Sequence, residues 1–271
     1  MKRFLLWALL AGVAGCAAQP PACYTTAAQL NAIVVQPPAG VEVDPTLALV
    51  LNIPAYRLDV LRAGDVRASY TVAVGAPKYP TRPGEFYLES ITWNPWWIPP
   101  ESDWARAEKR TPPGPGNPMG KVKLNYSPFY YLHGTPDSLR LQRAASHGCV
   151  RMRNGDAVDL ALMIQDFTQT TPQPELQDRL LSSWNETRTL SLPRVVSLSV
   201  RYDLAEVRDS LVFLYADIYS QSDGDRAGVV RRALLQAGID SLDIDSAAVA
   251  GFARRSARIN EIRLDSLLRV E

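Results

Sequence analysis

Reactive side chains are scarce in this chain of 271 residues, which holds only two histidines and three cysteines. Three cysteines are too few to staple a disulfide framework. An excess of one charge is missing as well. Lys and Arg number 29 against 28 Asp and Glu, a formal net charge of +1, so nothing marks a nucleic-acid partner. The sequence also lacks internal repeats and low-complexity tracts. Its apolar run Phe4–Ala14, 11 residues long, is too short for a permanent membrane-spanning helix. What is present is ordinary globular material, 46% hydrophobic and 21% charged, enough for one large domain with appendages. Proline is plentiful, 21 in all, and gathers in "NPWWIPP" and "RTPPGPGNP". Tryptophans and tyrosines surround those clusters, which marks them as ordered surface loops.

The first residues read as an export signal: Lys2 and Arg3, the apolar run, then "VAGC". An uncleaved anchor and a plain cleaved signal are the alternatives. "VAGC" resembles the lipobox of bacterial lipoproteins, in which the closing cysteine, here Cys16, becomes the lipidated first residue. That resemblance implies a signal peptide over 1–15, a tether over 16–45 and a membrane partner through a lipid on Cys16. With Ala17 where inner-membrane lipoproteins often carry Asp, it also implies an exported protein facing the periplasm from the outer membrane. Cys23 and Cys149 would then be the remaining thiols, 126 positions apart, a poorly motivated disulfide. A lone cysteine in an oxidising compartment calls for a reason.

The body of the chain reads as strands. "TLALVLNI", "YRLDVLR", a turn at Ala63-Gly64-Asp65 and the alternating "VRASYTVAV" come first, then "GEFYLESITW", "GKVKLNY" and "FYYLHG". "NGDAVDLALMIQDF" has helical spacing, with Asn154 or Asp156 placed to cap it, and "ELQDRLLSSW" reads as a second short helix. "RVVSLSVRYDL" and "DSLVFLYADIY" return to strand, and the last 45 or so residues look helical. Strands joined by short turns, with no helix between residues 46 and 92, predict a mainly β protein: a β-sandwich core with short peripheral helices and a helical C-terminal extension. The domains expected are a catalytic unit over 46–200, a β extension of it over 201–224 and a helical region over 225–271.

One histidine and one cysteine meet in "RAASHGCVRMRN", residues 143 to 154. Gly148 before Cys149 lets the backbone turn sharply, and the N–H groups of His147, Gly148 and Cys149 could converge on a developing oxyanion. The other histidine, His133, stands 16 residues upstream at the end of a strand, with enough loop between to bring its imidazole to the sulfur. An imidazole that takes the thiol proton makes an acyl-transfer nucleophile. The bland readings are a small buried cysteine and hydrogen-bonded histidines. A three-ligand zinc site is disfavoured by the one-residue gap between His147 and Cys149 and the lack of a spaced carboxylate, so neither a metal nor a cofactor is expected. Trp93, Trp96 and Trp97 could wall a peptide or sugar groove, or pack as a hydrophobic loop; the Pro-rich segment to residue 118 could cap the cleft.

"HGTPDSLRLQRAASHGCVRMRN" resembles the signature of the YkuD-type L,D-transpeptidases, and the similarity takes in residues 46 to 165 through "NPWWIPP" and "GPGNPMGKVKL". The resemblance implies Cys149 as nucleophile and His133 as base, held through the Gly134 carbonyl. It makes Ser146, His147 and Gly148 the residues that shape the loop and oxyanion hole. Arg151 falls where the family carries a residue near the substrate, and Tyr131 and Trp97 complete the expected substrate contacts. The implied partners are peptidoglycan stem peptides. Cys149 would attack the diaminopimelate–D-Ala bond of a tetrapeptide, and the acyl group would pass to another stem or to a wall-linked lipoprotein. A carboxypeptidase of the same fold and a non-catalytic peptidoglycan binder are the competing readings.

Overall fold

The computed structural model describes residue 30, residues 32–128 and residues 130–269. The segment expected to be a signal peptide, Cys16 and Cys23 lie outside the described residues.

The main body is a nine-stranded sheet. In chain order its strands are β1 (Ile33–Val34), β2 (Glu42–Asn52), β3 (Arg57–Arg62), β4 (Asp65–Thr71), β6 (Gly84–Trp93), β7 (Val122–Asn125), β8 (Tyr131–Thr135), β10 (Val150–Arg153) and β11 (Arg188–Arg201). Their spatial order is β10-β8-β7-β6-β11-β2-β3-β4, with β1 against β6. The β3–β4 hairpin turns at Ala63 and Gly64, both at positive φ, the backbone that a two-residue connection between twisted strands requires. Beyond β4 the chain crosses to the far edge, where Ala73 and Arg151 exchange backbone hydrogen bonds of 2.9 Å. The expected β-sandwich therefore takes the form of one continuous sheet curled until its two ends meet. Its interior is filled by Leu49, Leu51, Leu58, Leu88, Leu124 and Leu198, fully buried in a single apolar cluster. A second, two-stranded pairing joins β5 (Val74–Gly75) to β9 (Ala144–Ser146) beside that closure.

Two helices, α1 (Asn154–Phe167) and α2 (Pro174–Ser182), lie where the sequence predicts them. The cap differs from expectation. Neither Asn154 nor Asp156 caps α1; Asn154 Oδ1 instead accepts the Lys121 backbone N–H at 3.1 Å, tying the helix start to the segment before β7. Ala157, Leu160, Ala161 and Ile164 pack into the same core as Leu132, Val150 and Met152.

The C-terminal part departs further from the sequence reading. Strands β12 (Ala205–Arg208) and β13 (Leu211–Tyr215) do not extend the main sheet; they pair with β14 (Ile259–Arg263), inside the stretch read as helical. With α3 (Arg226–Gln236) and α4 (Ser246–Ala253) they enclose a separate core of Val212, Leu214, Val230, Leu234, Val249 and Phe252. The β extension expected over 201–224 and the helical region expected over 225–271 are thus one mixed α/β unit. The sequence reading missed β14 because five residues of "INEIR" alternate only weakly and follow two clear helices. The unit is fastened to the main body by polar links. Asn52 and Asp203 exchange hydrogen bonds at 3.1 Å, and Arg57 grips Glu206 with two nitrogens while its Nε reaches Asp59 at 2.9 Å.

Candidate active site

Strand alternation sets the site. On β7, β8 and β10, Val122, Leu124, Leu132, Val150 and Met152 point into the core and are fully buried. The intervening residues face the other way. Arg151 pairs with His133 across the parallel β10–β8 ladder, and Lys123 pairs with His133 across the antiparallel β7–β8 ladder. Cys149, two residues before Arg151, shares that face. Lys123, His133 and Arg151 thus form one cross-strand row, with Tyr131 and Cys149 in the next, and the Tyr131 backbone N–H donates to the Cys149 sulfur. Directly opposed side chains on neighbouring strands have Cβ atoms about 5 Å apart, so the row brings these groups within reach of one another.

His133 is 3% exposed, and its Nδ1 lies 2.7 Å from the Gly134 carbonyl oxygen. A carbonyl can only accept, so Nδ1 carries the proton and Nε2 of the neutral ring is an acceptor. Burial, with Arg151 and Lys123 nearby, pushes the His133 pKa down to about 4. Cys149 is half-buried, and burial raises its thiol pKa against the pull of the Tyr131 N–H, Arg151 and Lys123. At neutral pH the Cys149 thiol is therefore protonated and the His133 imidazole on the neighbouring strand neutral, so the resting site holds no preformed ion pair.

The loop carrying Cys149 is fixed from behind. Ser146 Oγ donates to the Cys149 carbonyl at 2.5 Å and accepts the Gly148 N–H at 3.1 Å. This corrects the expectation of three converging amides, because the Gly148 N–H is turned onto Ser146 and away from a substrate. Gly148 shapes the loop instead. It sits at φ +108°, and a Cβ there would come within 2.6 Å of the Tyr130 ring. Thr81 Oγ1 donates to the Gly148 carbonyl at 2.9 Å and accepts the Gly75 N–H at 2.8 Å. Tyr219 completes the brace from the chain beyond β13: its hydroxyl donates to the Gly75 carbonyl at 2.6 Å and accepts the Thr81 N–H at 3.1 Å.

His147 is turned outward, where Trp104 stacks on it with ring centres 3.7 Å apart and planes within 5°, and Tyr79 packs beside it at 4.7 Å. Trp104 rides on the Pro-rich segment. Trp97 and Thr111 close the base of that loop with two backbone hydrogen bonds of 2.9 Å, and the Asn117 side chain donates to the carbonyls of Pro95, Thr111 and Pro112. The three tryptophans singled out in the sequence do not act together. Trp93 is fully buried and donates to Gln165, Trp96 is exposed under the Arg110 guanidinium, and Trp97 is half-buried. Sequence reading also passed over Trp104, Lys123, Thr81 and Tyr219. For Lys123 a signal existed: in "KVKL" the alternation that buries Val122 and Leu124 must turn Lys123 to the face of His133.

Residues 47–173 match the YkuD family, described as the L,D-transpeptidase catalytic domain. The Bacillus subtilis (strain 168) protein YkuD, which carries the L,D-transpeptidase name, is 29% identical over 124 residues, 45% of this chain and 63% of that protein. The Escherichia coli (strain K12) protein YbiS, of the same name, is 47% identical over 45 residues, 17% of this chain and 15% of its own length. This chain therefore spans less than two thirds of the curated relatives it matches. Among solved structures, an L,D-transpeptidase from Mycobacterium smegmatis aligns with a TM-score of 0.37 and 15% identity over 58% of each chain. The matched segment holds β3, β4, β6, β7, β8 and β10 of the sheet together with His133 and the Ser-His-Gly-Cys loop, and over residues 47–173 this chain is similar to the YkuD family of L,D-transpeptidase catalytic domains.

Proposed function

We propose that the protein is a peptidoglycan L,D-transpeptidase in which Cys149 is the nucleophile and His133 the general base. The observation that carries this reading is the His133 ring, buried next to the cysteine strand with Nδ1 anchored on Gly134, which leaves Nε2 as a proton acceptor. In the first half-reaction the Cys149 S–H proton passes to Nε2 as sulfur bonds to the carbonyl carbon of a diaminopimelate–D-Ala linkage. The tetrahedral intermediate collapses by breaking the C–N bond, and the same proton leaves with the amine of D-Ala. The thioester is then attacked by an acceptor amine, His133 takes that amine's proton, and the returning thiolate recovers it. A ring that titrates near 4 is unprotonated at neutral pH and so free to take a proton, at the cost of basicity, which a base working near neutral pH would keep higher. The amides of His147 and Cys149 remain the candidates for the oxyanion, with Arg151 and Tyr131 at the substrate. Trp97, at the base of the Pro-rich loop, supports the segment that carries Trp104 over the motif.

The acceptor amine belongs to a second stem, giving a 3-3 cross-link, or to the lysine of a wall-linked lipoprotein. Anchoring through a lipid on Cys16 would hold the enzyme at the outer membrane facing the periplasm, on the strength of the "VAGC" resemblance alone. The test is incubation of the exported protein with disaccharide-tetrapeptide. Release of D-Ala with formation of dimers is the expected result, abolished by Cys149→Ala. Shortened monomers without dimers would make the protein a carboxypeptidase, and an unchanged cellular phenotype for Cys149→Ala would make it a binder. A carbapenem should add its mass at Cys149, and failure to do so would overturn an active thiol.

A further inference from the structure

Lys123 and Arg151 flank His133 on its two neighbouring strands, and neither has a salt-bridge partner among the described residues. Arg151 Nε is buried without a hydrogen bond. The nearby Asp137 is engaged with Arg140 at 2.9 Å. The ammonium of Lys123 is held 4.3 Å from the centre of the Tyr131 ring, on the residue whose N–H reaches the nucleophilic sulfur. Two partly buried cations with no carboxylate in salt-bridge contact are costly in a folded protein, because desolvation is only weakly offset by the more distant Asp137. Burial lowers the pKa of both, in keeping with that cost. Such an arrangement fits a site whose anion arrives with the substrate.

We infer that Lys123, together with Arg151, binds the free carboxylate of the amino acid that leaves the acyl donor, so that the enzyme selects peptides ending one residue beyond the scissile carbonyl. The inference rests on the acyl-transfer reading above and names the donor class within it. Covalent geometry sets the register. In such a donor the carboxylate sits on the carbon bonded to the scissile nitrogen, so the charge lies within about 4 Å of the carbon that Cys149 attacks. That is the distance scale of a row of neighbouring side chains in a sheet. A donor one residue longer carries its charge about 3.5 Å further out, and an amide-capped donor carries none. Lys123 supplies a compact point charge, and Arg151 a planar fork that can donate to both carboxylate oxygens.

The test compares two synthetic stem donors, the tetrapeptide with a free terminal carboxylate and the same peptide with a terminal carboxamide. Wild-type protein, Lys123→Met, Lys123→Arg and Arg151→Met are assayed with each, and thermal melting confirms folding. The wild type should lose about 10- to 100-fold in kcat/KM on the carboxamide, the range expected for a charge-assisted hydrogen bond. Lys123→Met should lose a similar factor on the acid donor and less than about 3-fold on the carboxamide, and Lys123→Arg should recover most of the activity. Equal losses of Lys123→Met on both donors, or a wild type indifferent to the cap, would overturn the clamp and leave the transpeptidase reading intact. A wild type that releases D-Ala from neither donor overturns the transpeptidase reading itself and the clamp with it.

Discussion

The main body and the C-terminal unit are built by the same rule and used differently. Each closes over its own apolar cluster, yet the buried polar residues are distributed unequally. The main body buries Asp44, Thr81, Asn94, Asn117, His133, Ser146 and Gln165 among others, whereas among the described residues of the C-terminal unit Asn260 is the one polar or charged residue buried to that degree. Buried polar groups are for the most part hydrogen-bonded, so a core that keeps many of them holds particular atoms in particular places. Most of those around the cysteine loop do that: Ser146 and Thr81 fix its backbone, and Gly134 fixes the His133 tautomer. The C-terminal unit places its polar network, Glu206 with Arg57 and the Tyr215 hydroxyl, at the seam with the main body. Its contribution to the site comes through the connecting segment, where Tyr219 reaches under Gly75 and Thr81.

The largest effects should come from the two main-body residues proposed to react, Cys149 and His133. Cys149→Ala should abolish acyl transfer, and His133→Asn should reduce kcat/KM by about 100- to 10,000-fold, the span of general acid–base catalysis. Both variants should melt as folded proteins in calorimetry. A His133→Asn enzyme of near wild-type rate would remove His133 from the mechanism and end the contrast between a reactive core and an inert one.

The contrast can next be tested by cutting into the apolar core of the C-terminal unit. Phe252 is 2% exposed, and Phe252→Ala should cost about 3–5 kcal/mol. If the two cores are separate, calorimetry should show a low-temperature transition for residues 205–269 while the main transition stays near its wild-type position. A single transition displaced as a whole would mean that the polar links of Arg57, Glu206, Asn52 and Asp203 make one cooperative unit.

A third prediction follows from pH. His133 titrates near 4 when folded, below its ordinary value of about 6.5, so the unfolded chain binds a proton that the native state refuses between those values. Its contribution to stability is complete above about pH 6.5 and is lost as pH falls toward 4, on the order of 3 kcal/mol. Urea titrations of the wild type and His133→Asn should diverge in slope across this window, with the variant flatter. Equal slopes would mean that His133 titrates alike in both states. For catalysis the same value places the acid limb of the rate profile near pH 4.

The sequence made some of this legible and concealed the rest for identifiable reasons. The proposed nucleophile and base stood out because histidine and cysteine are rare enough here for their adjacency to carry information. Helix α1 and the strand alternation followed from residue periodicity, which is local. Trp104 was invisible because its partner, His147, is 43 positions away and the loop between carries no pattern that predicts a stack. Tyr219 was invisible for the same reason at greater range, and the pairing of β14 with β13 crosses two helices. The Gly148 amide was misread because a sharp turn predicts that N–H groups are presented and cannot say to whom; Ser146 Oγ takes this one.

The smallest effect expected is also the one that joins the two regions. Tyr219→Phe removes the hydroxyl that donates to the Gly75 carbonyl and accepts from Thr81, and leaves the ring to fill its place in the main core. Losing one buried hydroxyl should cost about 1–2 kcal/mol, because two backbone groups are left without that partner. Thr81, whose hydroxyl accepts the Gly75 N–H, holds the Gly148 carbonyl, so the loosening should travel two hydrogen bonds to the cysteine loop and lower kcat several-fold with KM little changed. Tyr202→Phe is the matched control, since Tyr202 stacks on Tyr219 and accepts its backbone N–H but makes no hydrogen bond to Gly75 or Thr81. Should Tyr202→Phe lower kcat as much as Tyr219→Phe, general softening of the 216–222 segment would explain the loss, and the hydrogen-bonded brace would not.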